Sequence, residues 1–392
     1  MHIRSNKRTF VENCLLLLQV IFLVTIASCQ SAPLPESVDS PLNGSALRQV
    51  WSQNVGAPIN HMPLRIGNIL VVAPIKKPLL GLDVETGKTA WTYDPGVRIW
   101  DRAYASDGER ILIGLEDGRY AALESATGKV LWEIELGINS QMPPFLADGV
   151  AYIPTTFAGP GTPGDPNGKA KVFAVSVKDG RVLWLFESDN YILQTPFKRG
   201  DTVYLAGSFS APEVVDEGGH MRLYALNAAD GTVKWTYESE DGFTKQVYAT
   251  DEVVSYIAYQ DFVVGVDAHT GELLWRRDTG NWVPTLMGDG AVVYYGSANT
   301  MVHAIQANSG DSVWDYNIPE GTFNYLIGAP VLVGGELIFL TQLGEIFSLD
   351  AITGDLRWHH ITGIVGARTG LSVSGRWLFI GNGDGTVYGF SN

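Results

Sequence analysis

Few residues in this chain have the types and spacing that bond-making chemistry requires. Its only cysteines are Cys14 and Cys29, and no His/Cys cluster stands at zinc-ligand spacing. Asp261 and Asp267 are close in sequence, but Asp267 falls at a recurring Asp position described below and reads as a turn residue. His359 and His360 are adjacent on an expected strand, where neighbouring side chains face opposite ways, so they do not form a paired ligand site. Gly381-Asn382-Gly383-Asp384-Gly385 is glycine-rich but leads into a strand rather than a helix N-terminus, which is not the geometry that cradles phosphate. There is no G-x-S-x-G nucleophile turn, no Walker loop and no EF-hand loop. The residues predict no catalytic group, no metal site and no cofactor.

The cysteine with a clear chemical context is Cys29. His2, Arg4, Lys7 and Arg8 make a basic start, an apolar run follows over 15–26, and Ile26-Ala27-Ser28-Cys29 closes it. The run is shorter than the roughly 20 residues a spanning helix needs. Small residues before a cysteine match the bacterial lipobox, in which the thiol carries a diacylglyceryl group. Residues 1–28 are therefore expected to be a lipoprotein signal peptide, with Cys29 as the lipid anchor. Gln30 stands where Asp would imply inner-membrane retention, so by analogy with other lipoproteins a two-membrane host would place the chain on the outer membrane, facing the periplasm. In a one-membrane host the same signal leaves it on the outer face of the cytoplasmic membrane. Residues 29–46 are featureless and read as a flexible tether reaching roughly 20–25 Å. The net charge of −15 becomes −17 once Arg4, Lys7, Arg8 and Glu12 leave with the signal. That argues against nucleic acid and against anionic lipid head groups as partners.

The rest of the chain is organised by repetition. Seven segments share a short alternating strand, a turn ending in Gly, and Trp four residues after that Gly; the tryptophans are Trp91, Trp132, Trp184, Trp235, Trp275, Trp314 and Trp358. A small residue (Gly81, Ala122, Ala174, Ala225, Gly265, Ala304 or Ser348) stands six places before each Gly, and Thr, Asp or Ser stands directly before it. Alternation gives each strand two unlike faces. The Thr-Gly or Asp-Gly pair supplies the hairpin residue that must take a positive φ. The Trp is an amphipathic plate that can pack between neighbouring sheets while its N–H reaches a backbone acceptor. Trp-to-Trp steps of 41, 52, 51, 40, 39 and 44 residues suit four-stranded propeller blades.

The ends supply one more blade. Gly383 to Phe390 looks like an eighth third strand without its Gly-Trp, and Gln49-Val50-Trp51-Ser52 looks like a fourth strand without a third. Trp51 lies one period, 40 residues, before Trp91. The N-terminal strand is expected to complete the C-terminal blade and close the ring. The prediction is an all-β, eight-bladed β-propeller of four-stranded antiparallel sheets over 47–392, with almost no helix.

Among the motif tryptophans, only Trp314, followed by Asp315, gives the dipeptide of WD40 propellers. The pattern A-x-D-x-x-T-G-x-x-x-W instead resembles the pyrroloquinoline-quinone (PQQ)-type repeat, from Trp51 to Asn392. With the lipobox, the tether, the ring closure and the terminal D-G-T-V-Y strand, the chain resembles the BamB family of lipoproteins, which serve the machine that inserts β-barrels into outer membranes. The resemblance implies a non-enzymatic binding scaffold with a BamA-like envelope protein as partner, monomeric within a complex. It also implies that the partner contacts the connectors after the third and fourth motifs. Here these contain Tyr191-Ile192-Leu193 without an adjacent Arg, and Asp241-Gly242-Phe243-Thr244-Lys245 with one acidic residue. The alternatives are a PQQ-dependent dehydrogenase, since those larger enzymes use the same repeat, and a surface sensor or ligand-binding propeller.

Two blades exceed the rest by about ten residues, the extra chain lying between their second and third strands at 156–170 and 208–220. These insertions and the connectors between blades should emerge on one face. Trp100, Arg102, Tyr191, Ile192, Leu193, Phe243, Trp282 and Phe323 are the candidate partner-binding residues there, with Leu193 expected at the surface.

Overall fold

The computed structural model describes residues 42–137, 140–155, 170–188, 192–208, 221–239, 247–258, 261–319 and 326–392. Each repeat folds as a hairpin because its Gly takes a φ of +70° to +77°, as at Gly87 and Gly354. The Asp of the repeat holds the turn: Asp267 Oδ1 accepts from the N–H groups of His269 and Thr270, both at 2.8 Å. These bonds hold the Asp267 carboxyl below its ordinary range. Asp267 is thus a turn residue, as are Asp83 and Asp350.

The hairpins extend into eight antiparallel sheets, each ordered A-B-C-D from the channel outward. Blade 1 is Leu64–Ile66, Ile69–Val72, Leu79–Asp83 and Thr89–Tyr93. In blade 4 strand A is divided, Ile192–Leu193 and Phe197–Arg199 both pairing with Thr202–Ser208. Blade 8 joins Ser372–Ser374, Trp377–Gly381 and Thr386–Ser391 to the N-terminal strand Arg48–Asn54, with Trp51 opposite Gly389. The ring therefore closes as expected, and no helix occurs among the described residues. Strands A touch their neighbours around the channel. The described core divides into eight apolar clusters, one at each blade–blade interface.

One contact recurs at these interfaces. Each motif Trp lies opposite the small residue of its own strand C, for example Gly81↔Trp91, Ala174↔Trp184 and Ser348↔Trp358. Its other face receives the turn Gly of the next blade: a Cβ built at Gly87, Gly128, Gly231 or Gly271 would enter the ring of Trp51, Trp91, Trp184 or Trp235. The indole N–H then donates to the carbonyl three residues before that Gly. The acceptors are Val84 for Trp51, Ser125 for Trp91, Val177 for Trp132, Ala228 for Trp184, Ala268 for Trp235, Ala307 for Trp275 and Ala351 for Trp314, at 2.8–3.1 Å. Small residues above and below leave a slot one aromatic ring thick, and the buried donor is satisfied.

Trp358 departs from this pattern because the next blade is the composite one and has no hairpin turn at its outer end. The N-terminal segment fills the gap. Gly44 lies against the Trp358 ring where the turn Gly would otherwise sit, and Leu42 and Leu47 are buried beside it at 3% and 5% exposure. The Trp358 N–H donates instead to the carboxylate of Glu336, at 2.9 Å, which also accepts from Ser348 and Arg357. Of the stretch expected as a tether over 29–46, the described residues from Leu42 onward are packed against the ring rather than free.

Two stability outcomes follow. Trp275→Ala should lose about 3–5 kcal/mol, the range for emptying a large aromatic site, read as a fall in the urea midpoint; a midpoint equal to the parent's would remove the Trp slot as the basis of blade packing. Gly44→Val should lose about 1–3 kcal/mol by overpacking against Trp358. A variant as stable as the parent would mean that the N-terminal segment does not cover that ring.

Candidate interaction face

The face opposite the Thr-Gly turns is built where each chain segment leaves an outer strand D and crosses to the next inner strand A. These connectors bond directly to the turns between strands B and C. Glu116 N–H donates to Arg98 O at 2.9 Å, Ala298 N–H to Trp282 O at 2.9 Å, and Thr362 N–H to Gly344 O at 3.0 Å. Connectors and B–C turns therefore do share one face, as the sequence suggests.

Neighbouring connectors also interlock. Thr195 of blade 4 donates from Oγ1 to Pro143 O of blade 3 at 3.1 Å. The His61 ring of blade 1 packs on Tyr104 of blade 2 at 4.6 Å, and the Tyr104 hydroxyl donates to Met62 O at 2.8 Å. Trp100, the second residue of strand A of blade 2 (Ile99–Ser106), is buried, with the Arg98 guanidinium over its ring at 4.5 Å and 3.8 Å from Asp101. Burial lowers the pKa of Arg102 beside them, partly offset by Asp101. Trp282 is half-buried in the blade 6 connector.

The other candidates are placed less usefully for binding, or not at all. Leu193 has no exposure; it packs among Tyr152, Trp184 and Leu205, so the expectation of a surface anchor there is wrong. Its backbone is drawn inward by pairing with Gly207 of strand B, which carries the side chain under the sheet. The backbone of Ile192 pairs with Ser208 in the same ladder. Tyr191, Phe243, Phe323, both insertions and Cys29 lie outside the described residues.

Apart from Trp100, the sequence reading missed a set of polar groups at the starts of the inner strands. Asn60 Oδ1, His61 Nε2, Arg98 Nε, Trp100 Nε1 and Gln194 Nε2 are buried without a hydrogen-bond partner within the chain. They lie seven to ten residues after Trp51, Trp91 or Trp184, but the residue type at those offsets varies, so the repeat does not mark them as buried and polar. A buried polar atom without a partner costs about 1–3 kcal/mol, so these positions carry a stability cost that the packing around them must offset.

One constellation resembles nucleophilic catalysis and was also not foreseen. His303 Nε2 lies 3.1 Å from Ser297 Oγ, and His303 Nδ1 lies 2.5 Å from an Asp315 carboxylate oxygen. Ser297 is 1% exposed and its hydroxyl already bonds Asn299. An acyl group cannot reach it, and the trio acts as a clasp across a B–C turn. Among the described residues no three His, Cys, Asp or Glu side chains are grouped to hold a metal.

Burial pushes the His61 pKa down to about 4, against a small opposing effect of its bond to Met62 O. An unfolded His protonates near 6.5, so its contribution to stability is present above pH 6.5 and is lost as pH falls toward 4. The chain should lose about 2 kcal/mol through this group between pH 7 and 5. Urea unfolding at both pH values, for the parent and for His61→Gln, checks this; equal slopes in the two proteins would contradict it.

Comparison with known proteins identifies the architecture further. A family model described as outer membrane protein assembly factor BamB matches residues 42–141, 95–219, 137–247 and 192–392. The assembly factor BamB of Yersinia pestis is 23% identical over 408 aligned positions, covering 96% of this chain and 98% of that protein. The crystal structure of BamB from Moraxella catarrhalis superposes with a TM-score of 0.61 at 19% identity, covering 88% of this chain and 98% of that one. The quinohemoprotein alcohol dehydrogenase of Comamonas testosteroni shares the fold, with a TM-score of 0.63 at 14% identity, over 94% of this chain and 78% of that one. Matched along its whole described length, from the segment that covers Trp358 to the strand that closes the ring, the chain belongs to the family of the outer membrane protein assembly factor BamB.

Proposed function

We propose that this propeller is a non-enzymatic scaffold of outer-membrane β-barrel assembly, tethered by lipid on Cys29 and docking a BamA-like envelope protein through its connector face. The observation that carries this reading is the family match across every blade. The interlocked connectors support it, because a face whose loops are cross-bonded between blades presents side chains in fixed register. Tyr191, Phe243, Trp282 and Phe323, with Arg102, are its contact residues, whereas buried Leu193 and Trp100 hold the face in shape. The net charge of −15 favours a basic partner surface through steering more than through affinity.

A PQQ-dependent oxidoreductase is the competing reading, favoured by the fold shared with the Comamonas enzyme. The donor set does not fit it. Both cysteines lie within the first 41 residues, and the described residues hold no group of metal-ligating side chains.

Two experiments separate these readings. In pull-downs of envelope proteins, Tyr191→Ala, Phe243→Ala and Trp282→Ala variants that still fold should each lose about thirtyfold in affinity, the effect of a hot spot worth ~2 kcal/mol; undiminished recovery of every partner would move the binding surface to the opposite rim. Purified protein supplied with PQQ and Ca²⁺ should neither retain the quinone nor reduce an artificial acceptor with alcohols or aldose sugars. Saturable quinone binding with turnover would establish the oxidoreductase instead.

A further inference from the structure

Strand A of blade 2, Ile99–Ser106, does not pair evenly with its neighbour. Ile99 stands opposite Leu115 and Tyr104 opposite Ile113, so the four residues from Trp100 to Ala103 face Gly114 alone. Such an excursion re-aims side chains and is common beside functional sites. Blade 7 has a similar one between Ile327 and Val331, but its extra residues, Gly328, Ala329 and Pro330, carry no charge. In blade 2 the excursion and the residue just before the strand carry two guanidinium groups, those of Arg102 and Arg98.

These two cations share one carboxylate. Asp101 is buried and lies 3.8 Å from Arg98, near the outer limit of an ion pair. It is also the one charge that offsets the burial of Arg102, and Arg102 makes no hydrogen bond or ion pair among the described residues. Donors outnumber acceptors further, because Arg98 Nε and the Trp100 indole nitrogen are buried without a partner within the chain. His61 feels the Arg102 charge across the boundary between blades 1 and 2, but it is neutral at pH 7 and supplies no anion. A guanidinium cannot shed its proton to escape burial, and a buried charge left unpaired destabilises a fold. Together Arg98, Asp101 and Arg102 leave one positive charge in excess, in a chain whose net charge is −15. Both guanidinium side chains keep part of their surface in solvent, so an anion can approach them.

We infer that this excursion takes one aspartate or glutamate side chain of the envelope protein docked on the connector face, its carboxylate recognised by the Arg102 guanidinium beside Arg98. This rests on the partner reading above and names the chemical group that Arg102 selects. The rigid fork of N–H donors matches the two oxygens of a carboxylate. The overall charge decides how that carboxylate arrives. An acidic chain repels free anions, so a lone anion binds weakly, whereas a carboxylate carried by a protein is held by that protein's other contacts as well. On a partner surface that is otherwise basic, one acidic residue at this point fixes register, because a cation docked there is penalised.

Three measurements on the full chain test this. Removing an unpaired buried charge should not weaken the fold, so Arg102→Gln should keep or raise the urea midpoint; a fall would mean that Arg102 serves an internal partner, and would overturn the inference. The capped peptide acetyl-Gly-Glu-Gly-amide should shift the NMR signal of the Trp100 indole N–H saturably, at the roughly millimolar level of a single contact. The Gln counterpart of that peptide should give no shift, nor should the Glu peptide with Arg102→Gln. Arg102→Lys, which keeps the charge and loses the fork, should bind the Glu peptide about tenfold more weakly. Absence of a saturable shift, or tighter binding of inorganic phosphate, would overturn the inference. In pull-downs of envelope proteins, Arg102→Glu should lower recovery of the partner as Trp282→Ala does. If Trp282→Ala lowers recovery and Arg102→Glu does not, the inference fails and the docking face stands; if neither does, the docking face fails and the inference with it.

Discussion

The ring depends on a single interaction repeated around it: an indole held edgewise between the small residue of its own hairpin and the turn Gly of the next. A propeller blade has no covalent or hydrogen-bonded ladder to its neighbour, so packing alone must fix the spacing between sheets. The Trp slot does this with two constraints at once. The ring sets the distance, and its N–H, bonded to a carbonyl of the following turn, sets the register. Thr, Asp and Gly at the turn then serve the neighbouring blade as much as their own, which explains why turn and Trp recur as one unit.

The two ends of the molecule consequently obey different rules. Near the Thr-Gly turns every interface but the one at Trp358 is a copy of the last. On the connector face there is no copy: His61 with Tyr104 and Thr195 with Pro143 each bridge blades in their own way, and Arg98 covers Trp100 at the start of a single blade. Structure that repeats can be maintained by one rule, and the surface that does not repeat is free to become specific. A binding function on the irregular side of a regular ring is the arrangement this division favours.

The same division decided what could be read from the sequence. Blade number, hairpin positions and ring closure were legible because they rest on local spacing, Gly to Trp and small residue to Gly, that survives without knowledge of neighbours. The substitution of Gly44 for a turn Gly was not legible, since it lies seven residues before Trp51 and acts on Trp358. Glu336 as the indole acceptor was equally hidden, being specific to one interface. Leu193 misled because an apolar residue in a connector looks like an anchor until its pairing with Gly207 is known. The His303 clasp belongs to one blade and has no periodic signature, and Asn60 and Gln194 share their offsets from a repeat Trp with residues of other types.

The segment that covers Trp358 also has a mechanical meaning. It is the point at which the chain enters the ring, so tension applied to the N-terminal side arrives there first. Leu42 and Leu47 must leave the core, and Gly44 must slide from beneath the indole, before load reaches the Arg48↔Ser391 pair at the end of the closing strand. Without that clamp a pull would peel the closing strand one pair at a time and open the ring at its only non-covalent joint. With it, the seam is shielded by a latch that must fail first, so a pull on that end meets packed side chains before it meets the closing strand.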